Sequence, residues 1–341
     1  MATAAADKTL APRGHLKEDF MARIVAALRG RSWTPGWPNV GRVAIALLCG
    51  VPLVGCAGLE SWQRQLALRP TPTAVGQAEA AAASFRPGDE RFVLQAGGAA
   101  PGAAAQQVAM WWLPQPDPQA PTLLYLHGTF RNLYHNLPKI EALRQAGFAI
   151  LAVDYRGWGD STALVPSEAT IHADAALAWA ELKRRQADPA RRVIYGHSMG
   201  GAVAVRLASG LKHGQDYAAL VLESTFTRMP DVAVAAGFWG RVAAATTTLE
   251  FDSLSRIKAI DAPLLMLHGS ADRTVPVELG RRLRDAAPPG VRWVEIAGGT
   301  HSRLQSEFPE IYQQALRDFI DAMNQNTTKR RPATPARQQS P

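Results

Sequence analysis

Short apolar runs recur through residues 91–296, and the inner ones have no polar face. Leu264-Leu265-Met266-Leu267 is apolar at four consecutive positions. Side chains alternate between the two faces of a strand, so such a run is buried on both. That points to a mostly parallel sheet with helices on either side. Strands are expected at Arg91–Gln95, Gln107–Leu113, Thr122–Leu126, Ala149–Val153, Arg192–Gly196, Ala218–Leu222, Pro263–Leu267 and Arg292–Ile296. Helices are expected over residues 136–146, 168–187, 199–212, 276–287 and 306–323. Gly147 stands where a C-cap glycine belongs, and Pro276 opens a helix at no cost in hydrogen bonds. The first two strands look antiparallel and the rest follow a β-α-β rhythm. The result is an α/β sheet of about eight strands. The rhythm breaks between residues 225 and 260, where Met229, Val232, Val234, Phe238, Trp239 and Leu249 occur without a clear strand. This insertion after the sixth strand reads either as a small helical cap or as a structural excursion.

The chain has 341 residues, 47% of them hydrophobic, enough for a large core. Its formal charge of +8 first suggests nucleic acid, but that charge is confined to the ends. Residues 56–324 are electrically balanced, and a neutral body lacks the footprint of a nucleic-acid binder. The expected organisation is a basic region and apolar segment over 1–55, a tether over 56–86, a folded body over 87–324 and a disordered basic tail over 325–341. In the tether, Arg69-Pro70-Thr71-Pro72-Thr73 is extended and 78–83 forms a helical turn.

Between Arg42 and Glu60 lies an uncharged run of 17 residues, VAIALLCGVPLVGCAGL. It is short for a bilayer span and suits an export signal with a basic flank. Leu53-Val54-Gly55-Cys56 resembles the lipobox of bacterial lipoproteins. The resemblance implies that Cys56 is lipidated and becomes the first residue of the mature chain, holding the protein on a membrane of the cell envelope. An uncleaved N-terminal anchor is the alternative.

The chemical signal is Gly196-His197-Ser198-Met199-Gly200-Gly201, between an apolar strand and an Ala- and Val-rich helix. A G-x-S-x-G in that context is a nucleophile elbow. The turn is tight, so its flanking positions cannot carry side chains, and the serine hydroxyl is thrust outward. The N–H of Met199, at the helix start, would face a developing oxyanion. A nucleophilic serine needs a base and an orienting acid. Asp272 and His301 follow the next two strands, past the strand ends where ligand sites of open α/β sheets lie. Glu223, directly after the sixth strand, is a rival acid. The loop after the third strand, Leu126-His127-Gly128-Thr129-Phe130, supplies the second oxyanion donor: the N–H of Thr129 first, that of Phe130 second.

Together His127-Gly128, the run from Asp154 to Ser161, the Ser198 elbow, the Asp272 loop and Gly299-Thr300-His301 resemble the α/β-hydrolase superfamily over residues 90–323. The resemblance is nearest to its monoacylglycerol-lipase-like and prolyl-oligopeptidase-like bacterial branches. It implies a Ser198, Asp272, His301 triad and a serine-dependent hydrolysis of carboxylic esters, acyl lipids among them, through an acyl-enzyme. No cofactor and no metal are implied. Where relatives often carry Asn and Gly, this loop has Thr129-Phe130, which leaves backbone donation in place and narrows the pocket. Phe130, Trp158, Phe238 and Trp239 are candidates to line an acyl pocket, or else core. Asp154 and Asp160 brace the floor of the site in the resemblance, and His127, His197 and His268 read as packing or loop-bonding residues. A peptidase or amidase with the same triad is the competing activity, with Glu223 or Asp231 binding a substrate amino terminus. A non-enzymatic envelope lipoprotein that keeps the fold is the third reading.

Overall fold

In the computed structural model, residues 52–97 and 104–330 are described, the side chains of a few at the margins excepted. The chain divides into two compact units, Met1–Gly55 and Cys56–Pro341. The basic N-terminal region, most of the apolar run and residues 331–341 lie outside the described residues, and so do the expectations that fall on them.

Eight strands form one sheet: β1 (Glu90–Gln95), β2 (Gln107–Leu113), β3 (Thr122–Leu126), β4 (Ala149–Asp154), β5 (Arg192–His197), β6 (Ala219–Glu223), β7 (Leu264–Gly269) and β8 (Arg292–Ile296). Their order is β1-β2-β4-β3-β5-β6-β7-β8. The β1–β2 and β2–β4 pairs are antiparallel, and every other pair is parallel. This is the architecture that the apolar runs require. Strands β3, β4, β5, β6 and β7 are buried at every position.

The helices are α1 (Pro52–Leu68), α2 (Gln77–Ala81), α3 (Leu133–Gln145), α4 (Glu168–Arg185), α5 (Met199–Ala208), α6 (Met229–Ala235), α7 (Phe238–Thr246), α8 (Val277–Ala286), α9 (Leu304–Glu307) and α10 (Pro309–Arg330). They cover both faces, giving one core cluster around Leu124, Val153, Ile194 and Val203 and another around Tyr125, Phe148, Val193 and Leu316. Among the described residues, no helix is long and apolar enough to cross a membrane.

Four departures from the sequence expectation have local causes. Helix α3 starts three residues early because Asn132 caps it, accepting from the His135 N–H at 3.3 Å. Pro138, a residue that favours a first turn, then lies inside the helix. Pro309 cannot continue a helix from α9, so the last helix is split there. Residues 325–330, expected to open the tail, continue α10.

The expected tether is the largest departure. Its first part is helix α1, and Leu68 at the helix end is fully buried. Residues 69–77 then form a strap across the body. Pro72 makes a parallel bridge with Gly159. Thr73 N–H donates to Gly159 O at 3.0 Å, and Gly159 N–H donates to Thr71 O at 3.0 Å. The Thr73 hydroxyl donates to Asp160 at 2.6 Å. Gln77 exchanges hydrogen bonds with the Asn132 side chain at 3.2 and 3.1 Å.

Candidate active site

Ser198 is the single residue between β5 and α5, with φ 56° and ψ −122°. A non-glycine residue there is strained by about 1–3 kcal/mol. Three hydrogen bonds hold it: Ser198 N–H to Glu223 O, Gly201 N–H to Ser198 O, and the Thr225 hydroxyl to Ser198 O, each 2.9 Å. A Cβ at Gly196 would lie 2.2 Å from Gly200 O, and one at Gly200 would lie 2.0 Å from Leu126 O. The elbow therefore needs both glycines. Met199, first in α5, has no acceptor for its N–H within its own helix.

Two loops at the same edge of the sheet meet this serine. His301 follows β8, and its Nε2 lies 3.0 Å from Ser198 Oγ. Its Nδ1 lies 2.7 Å from Asp272 Oδ2. With the ring proton on Nδ1, donated to Asp272, Nε2 is the acceptor for the serine hydroxyl. Asp272 follows β7, and its Oδ1 accepts from the N–H groups of Thr274 and Val275 at 2.9 and 2.8 Å. Burial alone would raise its pKa. Hydrogen bonds from His268 and His301 outweigh burial and hold the carboxyl well below the usual range. His268 Nε2 is also 2.9 Å from Val275 O, which ties β7 to the Asp272 loop. The structure thus brings Ser198, His301 and Asp272 into one hydrogen-bonded row.

Glu223 belongs to a different group. It is fully buried, paired with Lys139 and accepting from the hydroxyls of Tyr195 and Tyr312, the latter at 2.9 Å. Burial opposes its ionisation, but the adjacent Lys139 charge outweighs that and keeps the carboxyl below its ordinary value. Burial also lowers the pKa of Lys139. Asp231 is engaged too, by Thr227, Arg228 and Arg282.

The loop after β3 lies directly on the elbow. A Cβ at Gly128 would come within 2.9 Å of Ser198 Cβ. Thr129 is half-buried there, and Phe130 is 42% exposed with φ 72°. Trp158 corrects an expectation. It is fully buried, edge-on to Tyr155 at 5.9 Å, and offers no surface to a substrate. Phe238 and Trp239 stack edge-to-face at 5.3 Å on α7 and are 68% and 70% exposed.

The bracing residues lie beneath. Asp154 faces His127 Nε2 at 3.3 Å and accepts from Leu133 N–H at 3.0 Å, and burial pushes its carboxyl up. Asp160 accepts from Thr73 and from Tyr134, each at 2.6 Å. His197 Nε2 is 3.0 Å from the His301 carbonyl, so it supports the loop that carries His301. Burial, reinforced by the Lys139 charge, pushes the His197 imidazole down to about 3, so it stays neutral. Sequence reasoning missed Glu307, which accepts from Thr300 N–H at 3.0 Å and from its hydroxyl. That bond fixes the residue before His301. Among the described residues, no cluster of three or more His, Cys, Asp or Glu could hold a metal.

Comparison with known proteins points to the same fold. The Hydrolase_4 family model, serine aminopeptidase S33, matches residues 117–256. Human protein ABHD12B is 35% identical over 222 residues, 59% of this chain and 60% of that protein. The lysophosphatidylserine lipase ABHD12 of Danio rerio is 33% identical over 52% of this chain and 50% of its own length. An uncharacterized protein of Mycobacterium tuberculosis is 32% identical over 62% of this chain and 73% of its own. The chain thus spans little more than half the length of the first two relatives. An esterase structure from Pyrococcus furiosus superposes with TM-score 0.60 at 19% identity, covering 75% of this chain and 97% of that one. An α/β hydrolase from Vibrio vulnificus gives 0.56 at 18%, covering 88% and 98%. By its eight-stranded sheet and these relatives together, the chain belongs to the α/β-hydrolase superfamily.

Proposed function

We propose that this protein is a serine esterase acting on acyl-lipid esters. One observation carries the reading: Ser198 Oγ, His301 and Asp272 stand in a row with contacts of 3.0 and 2.7 Å. Ser198 Oγ attacks the ester carbonyl while His301 Nε2 takes its proton. The N–H groups of Met199 and Thr129 hold the resulting oxyanion. The tetrahedral species collapses, the C–O bond breaks, and His301 returns the proton to the leaving alcohol. Water, deprotonated by His301, then attacks the acyl-Ser198 ester and releases the carboxylic acid. Asp272 stays ionised throughout and stabilises the imidazolium.

The lipid part of the reading rests on the ABHD12 relatives, whose name specifies a lysophosphatidylserine lipase. An aminopeptidase reading is favoured by the family description. It needs an acid free to bind a substrate amino terminus. Glu223 and Asp231 are the two candidates, and both are already paired with cations.

The test is hydrolysis of p-nitrophenyl esters of two to sixteen carbons, with aminoacyl amides alongside, by the full chain and by Ser198→Ala. Ester turnover should fall by at least about 10⁴-fold in the variant. Amide turnover above ester turnover would replace the esterase by the peptidase. Undiminished turnover by Ser198→Ala would remove the mechanism.

We also propose that Cys56 carries a lipid that holds the enzyme on a cell-envelope membrane, on the strength of Leu53-Val54-Gly55-Cys56 and the apolar run before it. Metabolic palmitate should label the wild-type protein and not Cys56→Ser. Absence of label from both would leave the uncleaved anchor, and equal labelling would move the lipid off Cys56.

A further inference from the structure

Beside the proposed oxyanion loop stands a cation that the reaction scheme does not use. Arg69 ends helix α1 with φ 46°, a left-handed backbone for a non-glycine residue. Its guanidinium lies 4.8 Å from the centre of the Phe130 ring. Phe130 is itself left-handed at φ 72°. Two strained residues from segments far apart in sequence therefore meet. Such a backbone persists only where the surroundings fix it. The strap fixes the first of them, through Leu68 in the core and the Pro72–Gly159 bridge.

The contact leaves the arginine's donors available. Among the described residues, the side-chain hydrogen bond of Arg69 is a long one, from Nε to Leu66 O at 3.4 Å. No side-chain hydrogen bond of its Nη groups is found among the described residues. Stacking of a guanidinium on a ring orients the planar fork while its N–H groups remain free for an anion. Arg69 is exposed, and so is Arg131, next to Phe130, which makes no ion pair among the described residues. The position is defined by Gly128, two residues before Phe130, where a Cβ would come within 2.9 Å of Ser198 Cβ. Arg69 is thus placed on the same loop that packs against the serine, through Phe130.

We infer that Arg69, its guanidinium over Phe130, is a subsite for the anionic alcohol portion of the substrate, a phosphate or phosphodiester group borne on the leaving glycerol. This deepens the esterase reading and rests on it. The acyl chain and the headgroup then leave the reacting carbonyl in different directions, and the N-terminal strap selects among substrates with the same acyl chain. Phe130 serves as the platform, which gives a use for its strained backbone. Hydrogen bonds to phosphate are charge-assisted, so one arginine can shift selectivity by roughly 10- to 100-fold.

The test uses the full chain and two substrates with one acyl chain: a neutral monoacylglycerol and the matching lysophosphatidylserine. The reading is the ratio of their kcat/KM values. The wild type should favour the anionic substrate. Arg69→Ala should lower the ratio about tenfold or more, chiefly through KM, and Arg69→Lys should fall between, keeping charge without the planar fork. Arg206→Ala, an exposed arginine on α5, is the control and should not move the ratio. Raising the salt concentration should reduce the wild-type preference. Glycerol 3-phosphate should inhibit the wild type competitively and Arg69→Ala less, which separates recognition of the headgroup from attraction to an anionic lipid surface.

A wild type with no preference, or an Arg69→Ala variant that loses activity on both substrates equally, would overturn the subsite and leave Arg69 as a clip on the loop. The esterase reading fails by a different result, loss of Ser198 dependence. In that case binding of lysophosphatidylserine to Ser198→Ala, with and without Arg69→Ala, still reads the subsite. Equal affinities would overturn it.

Discussion

Two buried carboxylates sit at the ends of adjacent strands, Glu223 on β6 and Asp272 just past β7, and they are put to different uses. Both are held below their ordinary pKa against the effect of burial. Glu223 achieves this with a cation sealed beside it and two phenols. The pair is nearly sealed from solvent, Lys139 exposing 3% of its side chain and Glu223 none. Asp272 achieves it with hydrogen bonds from two histidines and two backbone amides, and one of those histidines reaches on to Ser198. A buried charge is thus either closed on itself or open at one end. The difference lies in the partner: an imidazole has a second nitrogen and an ammonium does not.

That contrast is broken most sharply by removing each charge in turn. Asp272→Asn should lower kcat by about 10³–10⁴, because His301 loses its tautomer and its compensating charge. Glu223→Gln should lower stability by about 3–5 kcal/mol, because Lys139 is left buried without a counter-charge. Its folded fraction should keep most of its kcat. Denaturant unfolding and ester turnover, measured on both variants, decide the matter. Equal catalytic losses without destabilisation would mean that Glu223 also serves the reaction.

A double variant sharpens the point. Lys139→Met added to Glu223→Gln should restore at least half the lost stability, since a matched apolar replacement of a buried pair is close to neutral. No restoration would mean that the tyrosines, rather than the ion pair, set the cost.

Acid separates the two regions next. Folded His197 is neutral down to about 3, whereas an unfolded histidine takes up its proton near 6.5. Below that pH the unfolded state binds more protons, so stability should fall with acidification from about 6.5 toward 3. The slope approaches about 1.4 kcal/mol per pH unit. Asp272, depressed in the fold, adds its share only below about 4, where an unfolded carboxylate protonates. Thermal unfolding from pH 8 to pH 4 should therefore be flatter for His197→Asn than for the wild type. Parallel curves would contradict the buried neutral histidine. The smallest effect expected is from Tyr312→Phe, which removes one of Glu223's hydrogen bonds for about 1–2 kcal/mol.

How much of this could be read beforehand depended on whether the signal was local. The elbow, the Asp272 loop and His301 each combine an apolar strand with a special turn in a few consecutive residues, and the sheet follows from apolar runs. The choice between Asp272 and Glu223 was not local, because both follow buried strands. It was decided by Lys139, Tyr195 and Tyr312, which come from α3, β5 and α10. Trp158 reads as a loop aromatic, but the loop is folded under the strap and its ring is enclosed by Tyr155 and His127. The strap was invisible for the same reason. Thr73 and Asp160 are 87 positions apart, and neither carries a mark of the other.

That strap gives the molecule a load path. A pull along α1 does not stop at the helix. It passes through Leu68 into the core, and through Arg69 and Thr73 into Phe130 and Asp160. Tension on that helix would therefore reach the loop beside Ser198 as well as the core.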